Sequence, residues 1–141
     1  FGVFLAQKLK EKPLTIVGDG KQTRDFIHVN DLTKAVIKAA TSKKVKKIYN
    51  VASGKEVSVN KIAELIGGKK INIPKRPGEP YRSLAKINKI KNDLGWRPKI
   101  DIREGVKDML KNIKYWSNAP VWTPKKIKKA TQLWFKILSK N

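Results

Sequence analysis

The chain has 141 residues, 40% of them hydrophobic, with no cysteine, one histidine and a formal net charge of +22. That is enough chain and enough apolar surface for one packed domain, and too little for two. It excludes a disulfide framework, thiolate or multi-histidine metal sites, and a bilayer-spanning segment, which needs roughly 20 consecutive apolar residues.

Residues 1–12, "FGVFLAQKLKEK", read as a helix, with Phe1, Phe4, Leu5 and Leu9 recurring every three or four positions until Pro13 stops it. "LTIV" reads as a strand running into the turn "GDG", and "DFIHV" as a second strand. Asn30 is the expected cap of a helix whose stripe is Leu32, Ala35, Val36, Ala39 and Ala40. "KIYNVAS" reads as a third strand closed by Gly54. Ser58 is the expected cap of "VNKIAELIGG", with Ile62, Ala63, Leu65 and Ile66 turned inward.

"KINI" is a short strand halted by Pro74, and "KRPGEPYRS" a loop. Asn88 is expected to cap "KIKNDLGW", which Gly95 and Pro98 stop. From Arg103 a longer helix carries Val106, Met109, Leu110, Ile113 and Trp116, and "SNAP" breaks it. Thr123 and Pro124 open a last helix striped by Ile127, Ala130, Leu133, Trp134, Ile137 and Leu138. Strands and helices alternate in small units, so the fold class is α/β or α+β, of the kind that sits beside a larger sheet.

Catalytic parts are scarce. His28 alone builds no triad, and its place between Ile27 and Val29 suits a structural or surface role. "GDGKQT" lacks the spacing of a phosphate-binding loop, and no three-glycine dinucleotide fingerprint opens a helix. Read alone, the chain has no cofactor site and is not a self-sufficient enzyme. It opens on Phe1 and shows no signal peptide, so the front of a longer polypeptide is expected to be missing. The lack of cysteine fits a reducing, cytoplasmic setting.

The basic excess is lysine, 28 against five arginines. A nucleic-acid footprint clusters its charge and interleaves arginines and aromatics. Here lysines fall on polar helix positions and turns, as in "TSKKVKK" and "PKKIKK". Lysine decoration of solvated faces and a selected anionic partner are both open, the dispersal favouring the first. Arg24 and Arg76 stand apart, each at the junction of a turn or loop with a regular element. A planar guanidinium fork suits bidentate pairing with a pyrophosphate. The alternative is an Arg24 paired with Asp25 or Asp19.

Together, "LTIVGDGKQTRDFIHVNDLTKAV", "IYNVASGKEVSVNKIAELI", "RPGEPYRSLAKINKIKNDLGWRPKI" and "EGVKDML" resemble the carboxyl-terminal half of the extended short-chain dehydrogenase/reductases. These are the NAD-dependent nucleotide-sugar epimerases and dehydratases, UDP-glucose 4-epimerase being the nearest type. The likeness implies a small mixed αβ substrate-binding lobe over residues 1–116, with the Rossmann domain largely missing. That domain would hold NAD and the Tyr-x-x-x-Lys pair. The lobe would grip the nucleoside diphosphate of the substrate, a UDP-sugar, while the absent half transfers hydride.

By the same resemblance, Arg24 and Arg76 would hold the pyrophosphate from two sides. Thr15 to Val17 would lie against the nucleobase and offer it main-chain hydrogen bonds. Glu79 would reach the ribose hydroxyls, and Asp25 would be structural, holding Arg24 or the strand start. Val17 departs from the family's aromatic residue, Glu79 from its aspartate, and Lys86 from the aspartate of the "A-D-I-S-K" version, with Asn88 keeping the capping role. A 4,6-dehydratase or decarboxylase of the same family is the alternative, and a free-standing basic module for nucleic acid or acidic polymer is the alternative of another class. The full-length protein is expected to be a homodimer, with no nucleic-acid partner.

Residues 117–141 lie beyond the usual family boundary. They form a basic amphipathic extension with Trp122 and Trp134 in it. Docking on its own domain or a second subunit is favoured over lying on an anionic membrane surface.

Overall fold

The computed structural model describes residues 1–138. Helix α1 (Gly2–Leu9) leads into strand β1 (Leu14–Val17), and a tight turn leads on to β2 (Thr23–Asp25). Helix α2 (Val29–Ala40) follows, then β3 (Glu56–Ser58), α3 (Val59–Ile66) and β4 (Lys70–Ile73). Helices α4 (Asn88–Leu94) and α5 (Ile102–Lys111) and a 3-10 turn at Ile113–Trp116 complete the lobe. The tail is α6 (Pro124–Ala130) and α7 (Gln132–Leu138). Among the described residues no helix is long and apolar enough to cross a membrane.

Two small sheets organise the lobe. β1 and β4 run parallel, Leu14 opposite Lys70 and Val17 opposite Ile73. A parallel pair cannot close through a hairpin, and the connection between these two carries β2, α2, β3 and α3. β2 and β3 are antiparallel, Arg24 opposite Val57. Leu14 and Ile16 of β1 pack with Ile62, Ala63 and Ile66 of α3 and Val106 of α5 in the main core. Each fully buried aliphatic there contributes about 1.5–3 kcal/mol. A second cluster joins Ala35, Ala52, Ile87, Ile90 and Trp96.

The turn between β1 and β2 requires glycine at one position. Gly20 has φ +71°, and a side chain there would overlap Asn60 and Ile16. Asn60 closes the turn, its Nδ2 donating to Asp19 O at 2.8 Å and its amide to Gly20 O at 2.9 Å. Ser58 caps α3 as expected, accepting from the Lys61 amide at 3.1 Å, and Gly95 stops α4 in the left-handed region.

Several expectations need correction. The second strand ends at Asp25 instead of running through "DFIHV". His28 then caps α2 in place of Asn30, its Nδ1 accepting from the Asn30 amide at 3.2 Å. Imidazole nitrogen can do what a short polar side chain does at that position. "KIYNVAS" forms no strand among the described residues. It is pinned instead by Tyr49, whose hydroxyl lies 3.0 Å from Asp93 Oδ2, and by buried Ala52.

Asn88 is the first residue of α4, not its cap; Ile87 sits in the cap position without a side-chain bond. The last helix is two, broken at Thr131, whose hydroxyl donates to Ile127 O at 2.9 Å. Such back-bonding bends helices. The α2 stripe is also mostly outward: Ala35 is buried, but Leu32 and Val36 are exposed.

Candidate functional site

The turn after β1 and the loop between β4 and α4 meet at the carboxyl end of the parallel pair. Gly18 N donates to Ile73 O at 2.9 Å, and Asn72 Nδ2 to Gly18 O at 2.7 Å. This brings Arg24, at the start of the antiparallel pair, to the loop carrying Arg76 and Glu79. Arg24 Nη1 donates to Thr23 O at 2.7 Å, and Nη2 lies 3.2 Å from Glu79 Oε1. The partner of Arg24 is therefore Glu79, neither Asp25 nor Asp19.

Asp25 does a different structural job from the one expected of it. One carboxylate oxygen accepts from Ser53 N at 2.8 Å, and the other from Gly54 N at 3.0 Å and Ala85 N at 3.3 Å. It ties the end of β2 to two loops, and so fixes the strand that carries Arg24.

Thr15, Val17, Arg76 and Glu79 line one cavity of about 350 Å³, together with Phe4, Gln22, Val59, Trp122 and Trp134. Four of the five expected residues thus share one space, and the fifth holds Glu79 from its side. Two buried polar atoms of residues lining this cavity, Arg76 Nε and Glu79 Oε2, have no hydrogen-bond partner among the described residues. Burying such an atom unpaired costs about 1–3 kcal/mol. Both arginines already have a contact within the chain, for the Arg76 guanidinium lies 5.9 Å from the centre of the Trp134 ring.

The strand edge is less open than the sequence implied. The amides of Leu14 and Gly18 face β4, so those of Thr15 and Val17 face the other way. Thr15 N donates to Gln7 Oε1 at 3.2 Å, and Val17 O accepts from Gln22 Nε2 at 2.9 Å. Thr15 C=O and Val17 N–H remain as the main-chain acceptor and donor of that edge.

Sequence reasoning missed four residues here. Gln7, fully buried on α1, donates to Thr15 Oγ1 at 2.9 Å and to Trp122 O at 2.6 Å. Gln22 orients the strand end, and Trp122 and Trp134 form the far wall. A glutamine inside an apolar helix face was the only signal available for Gln7. Trp134 was visible on a helical stripe and Trp122 just before its cap, but nothing said what they would face.

The family profile described as GDP-mannose 4,6 dehydratase matches residues 3–109. The chain belongs to that family. Its members are extended short-chain dehydrogenase/reductases, NAD-dependent nucleotide-sugar epimerases and dehydratases among them, and this chain matches a part of such proteins. It is 40% identical to a putative UDP-glucose 4-epimerase of Methanocaldococcus jannaschii, over 74% of this chain and 35% of that one. To UDP-glucuronic acid decarboxylase 2 of Arabidopsis thaliana it is 33% identical, over 79% of this chain and 26% of the relative.

Among solved structures, UDP-glucuronic acid 4-epimerase from Bacillus cereus, in complex with UDP-glucuronic acid and NAD, superposes with a TM-score of 0.74. The identity is 30%, over 80% of this chain and 38% of the epimerase. The chain therefore spans about a third of the length of the relatives it matches. The family match ends inside α5, so the tail that walls the cavity lies beyond it.

Proposed function

We propose that residues 1–116 are the substrate-binding lobe of an NAD-dependent nucleotide-sugar epimerase of the UDP-glucose 4-epimerase kind, and that residues 117–141 are an extension whose described part, to residue 138, packs onto it. The observation that carries this reading is the convergence of Thr15, Val17, Arg76 and Glu79 on one cavity, with Arg24 3.2 Å from Glu79. In this reading the two arginines hold a diphosphate, Glu79 holds the ribose hydroxyls, and the β1 edge meets the base.

The glycine turn at residues 18–20 is closed by the Asn60 side chain and opens no helix. We assign NAD to the rest of the protein, where it would accept hydride from the sugar and return it. The lobe contributes binding. Its contacts lie on the remote diphosphate and nucleoside, leaving the sugar free to turn while the substrate stays held. Decarboxylation of a UDP-sugar acid is the second reading, favoured by the Arabidopsis relative. The membrane-surface role for the tail is weakened by Trp122, Ile127 and Trp134, which turn toward the cavity.

Calorimetric titration of the full-length protein with UDP tests the site. Arg24→Ala and Arg76→Ala should each weaken binding by about 1.5–3 kcal/mol, the worth of one charge-assisted contact. Equal affinity in both variants and the parent would remove the assignment.

A further inference from the structure

We propose that Trp122 and Trp134, carried by the extension outside the family match, form an aromatic wall against the nucleobase. This rests on the nucleotide-site reading above and goes beyond it, because it assigns base recognition to a segment that the family match does not include. Val17, at the base end of the strand edge, has no flat face to offer. The flat faces in this cavity come from across it.

Both tryptophans are held in position before any ligand arrives. Trp134 Nε1 donates to Pro77 O at 2.8 Å, and its ring lies over the Arg76 guanidinium. Trp122 is held through its main chain, its carbonyl accepting from Gln7 Nε2 at 2.6 Å. The same glutamine side chain grips Thr15 at both its amide and its hydroxyl. One buried residue therefore sets the distance between the strand edge and the tail. A planar group entering between them would find Thr15 C=O and Val17 N–H along one edge and indole rings beside it. Arg76 and Glu79 stand in the same cavity for the phosphate and ribose. A volume of about 350 Å³ suits a nucleoside.

Stacking on an aromatic ring acts on the base and not on the diphosphate, and this separates the idea from a merely structural tail. The full-length protein would be titrated with UDP and, separately, with inorganic pyrophosphate. Trp134→Ala and Trp122→Ala should each weaken UDP binding about tenfold, within the range known for base–aromatic stacking. Pyrophosphate affinity should change less than about twofold, and Trp134→Phe should recover most of the UDP loss.

Unchanged UDP affinity in both alanine variants overturns the proposal while leaving the nucleotide site standing. So does an equal loss for pyrophosphate, which would mean that the ring only orders Arg76. Tighter UDP binding would make the tail a plug and overturn it as well. If the parent protein binds neither UDP nor pyrophosphate, the site reading fails and this proposal fails with it.

Discussion

The strand side of the cavity is continuous with the protein interior. Leu14 and Ile16 anchor β1 in the main core, and Asp25 fastens the next strand to two loops. Among the described residues the tail side is held by the Trp122 carbonyl on Gln7, the Trp134 indole N–H on Pro77 O and the Trp134 ring over Arg76, with no strand or buried core residue of its own. Two surfaces of one cavity can thus differ widely in how firmly they are held. Local stability follows buried contacts, and segments with few of them open first. The strand wall should persist under conditions that release the tail.

The largest effect is expected at Asp25. Asp25→Ala would strip acceptors from the amides of Ser53, Gly54 and Ala85 together. A loss of about 2–4 kcal/mol in urea denaturation is expected, since charge-assisted bonds are lost and donors are left unpaired. UDP affinity should fall too, because the strand carrying Arg24 loses its fixing point. Unaltered stability would show that the strand wall is not held as described.

Gln7→Ala is a sharper cut, because Gln7 touches both walls. About 2 kcal/mol of stability should be lost, the cost of leaving the buried Thr15 groups without their partner. The distinguishing result is local: protease cleavage within residues 117–138 should speed up more than cleavage within the lobe. Uniform acceleration across both would mean that the tail has no separate attachment.

How much of this was legible beforehand depended on whether the cause was local. Ser58, Gly95 and the Thr123–Pro124 pair act within a few residues of themselves, and each stands where the sequence put it. The structural role expected of His28 holds, but the strand assigned to "DFIHV" does not, because strand length is set by what β3 can pair with and not by composition. The α2 stripe and the α3 stripe look alike as patterns, yet Ile62 and Ile66 are buried while Leu32 and Val36 are exposed. Amphipathicity announces a partner without saying where it is.

The site divides in the same way. Arg24 and Arg76 were expected from their place at loop edges and Glu79 from motif resemblance, and the cavity brings Arg76 and Glu79 together with Arg24 alongside. Gln7 and the two tryptophans are joined to them only by contacts far apart in the chain. Gln7 and Trp122 are 115 positions apart, beyond any local pattern.

The smallest predicted effect uses pH to separate the walls. Glu56 on β3 sits 2.6 Å from Arg82 and accepts from the Thr23 hydroxyl at 2.7 Å. The Arg82 hydrogen bond, with help from Thr23, holds its carboxyl below the usual carboxylate value. A folded-state value below the unfolded one adds stability at neutral pH, and that stability is lost as pH falls through the folded value. No aspartate or glutamate occurs in residues 117–141, and the contacts that attach the tail involve no carboxylate. Mild acid should therefore loosen the loop around Arg82 before it loosens the tail. Hydrogen exchange followed by mass spectrometry would show this as faster exchange in residues 80–87, beyond the Arg76 and Pro77 anchors of the tail, than in 117–138 once pH drops below about 4. Arg82→Ala should flatten the acid response of the loop and leave that of the tail alone. If both segments respond together in the parent protein, the two walls share one attachment.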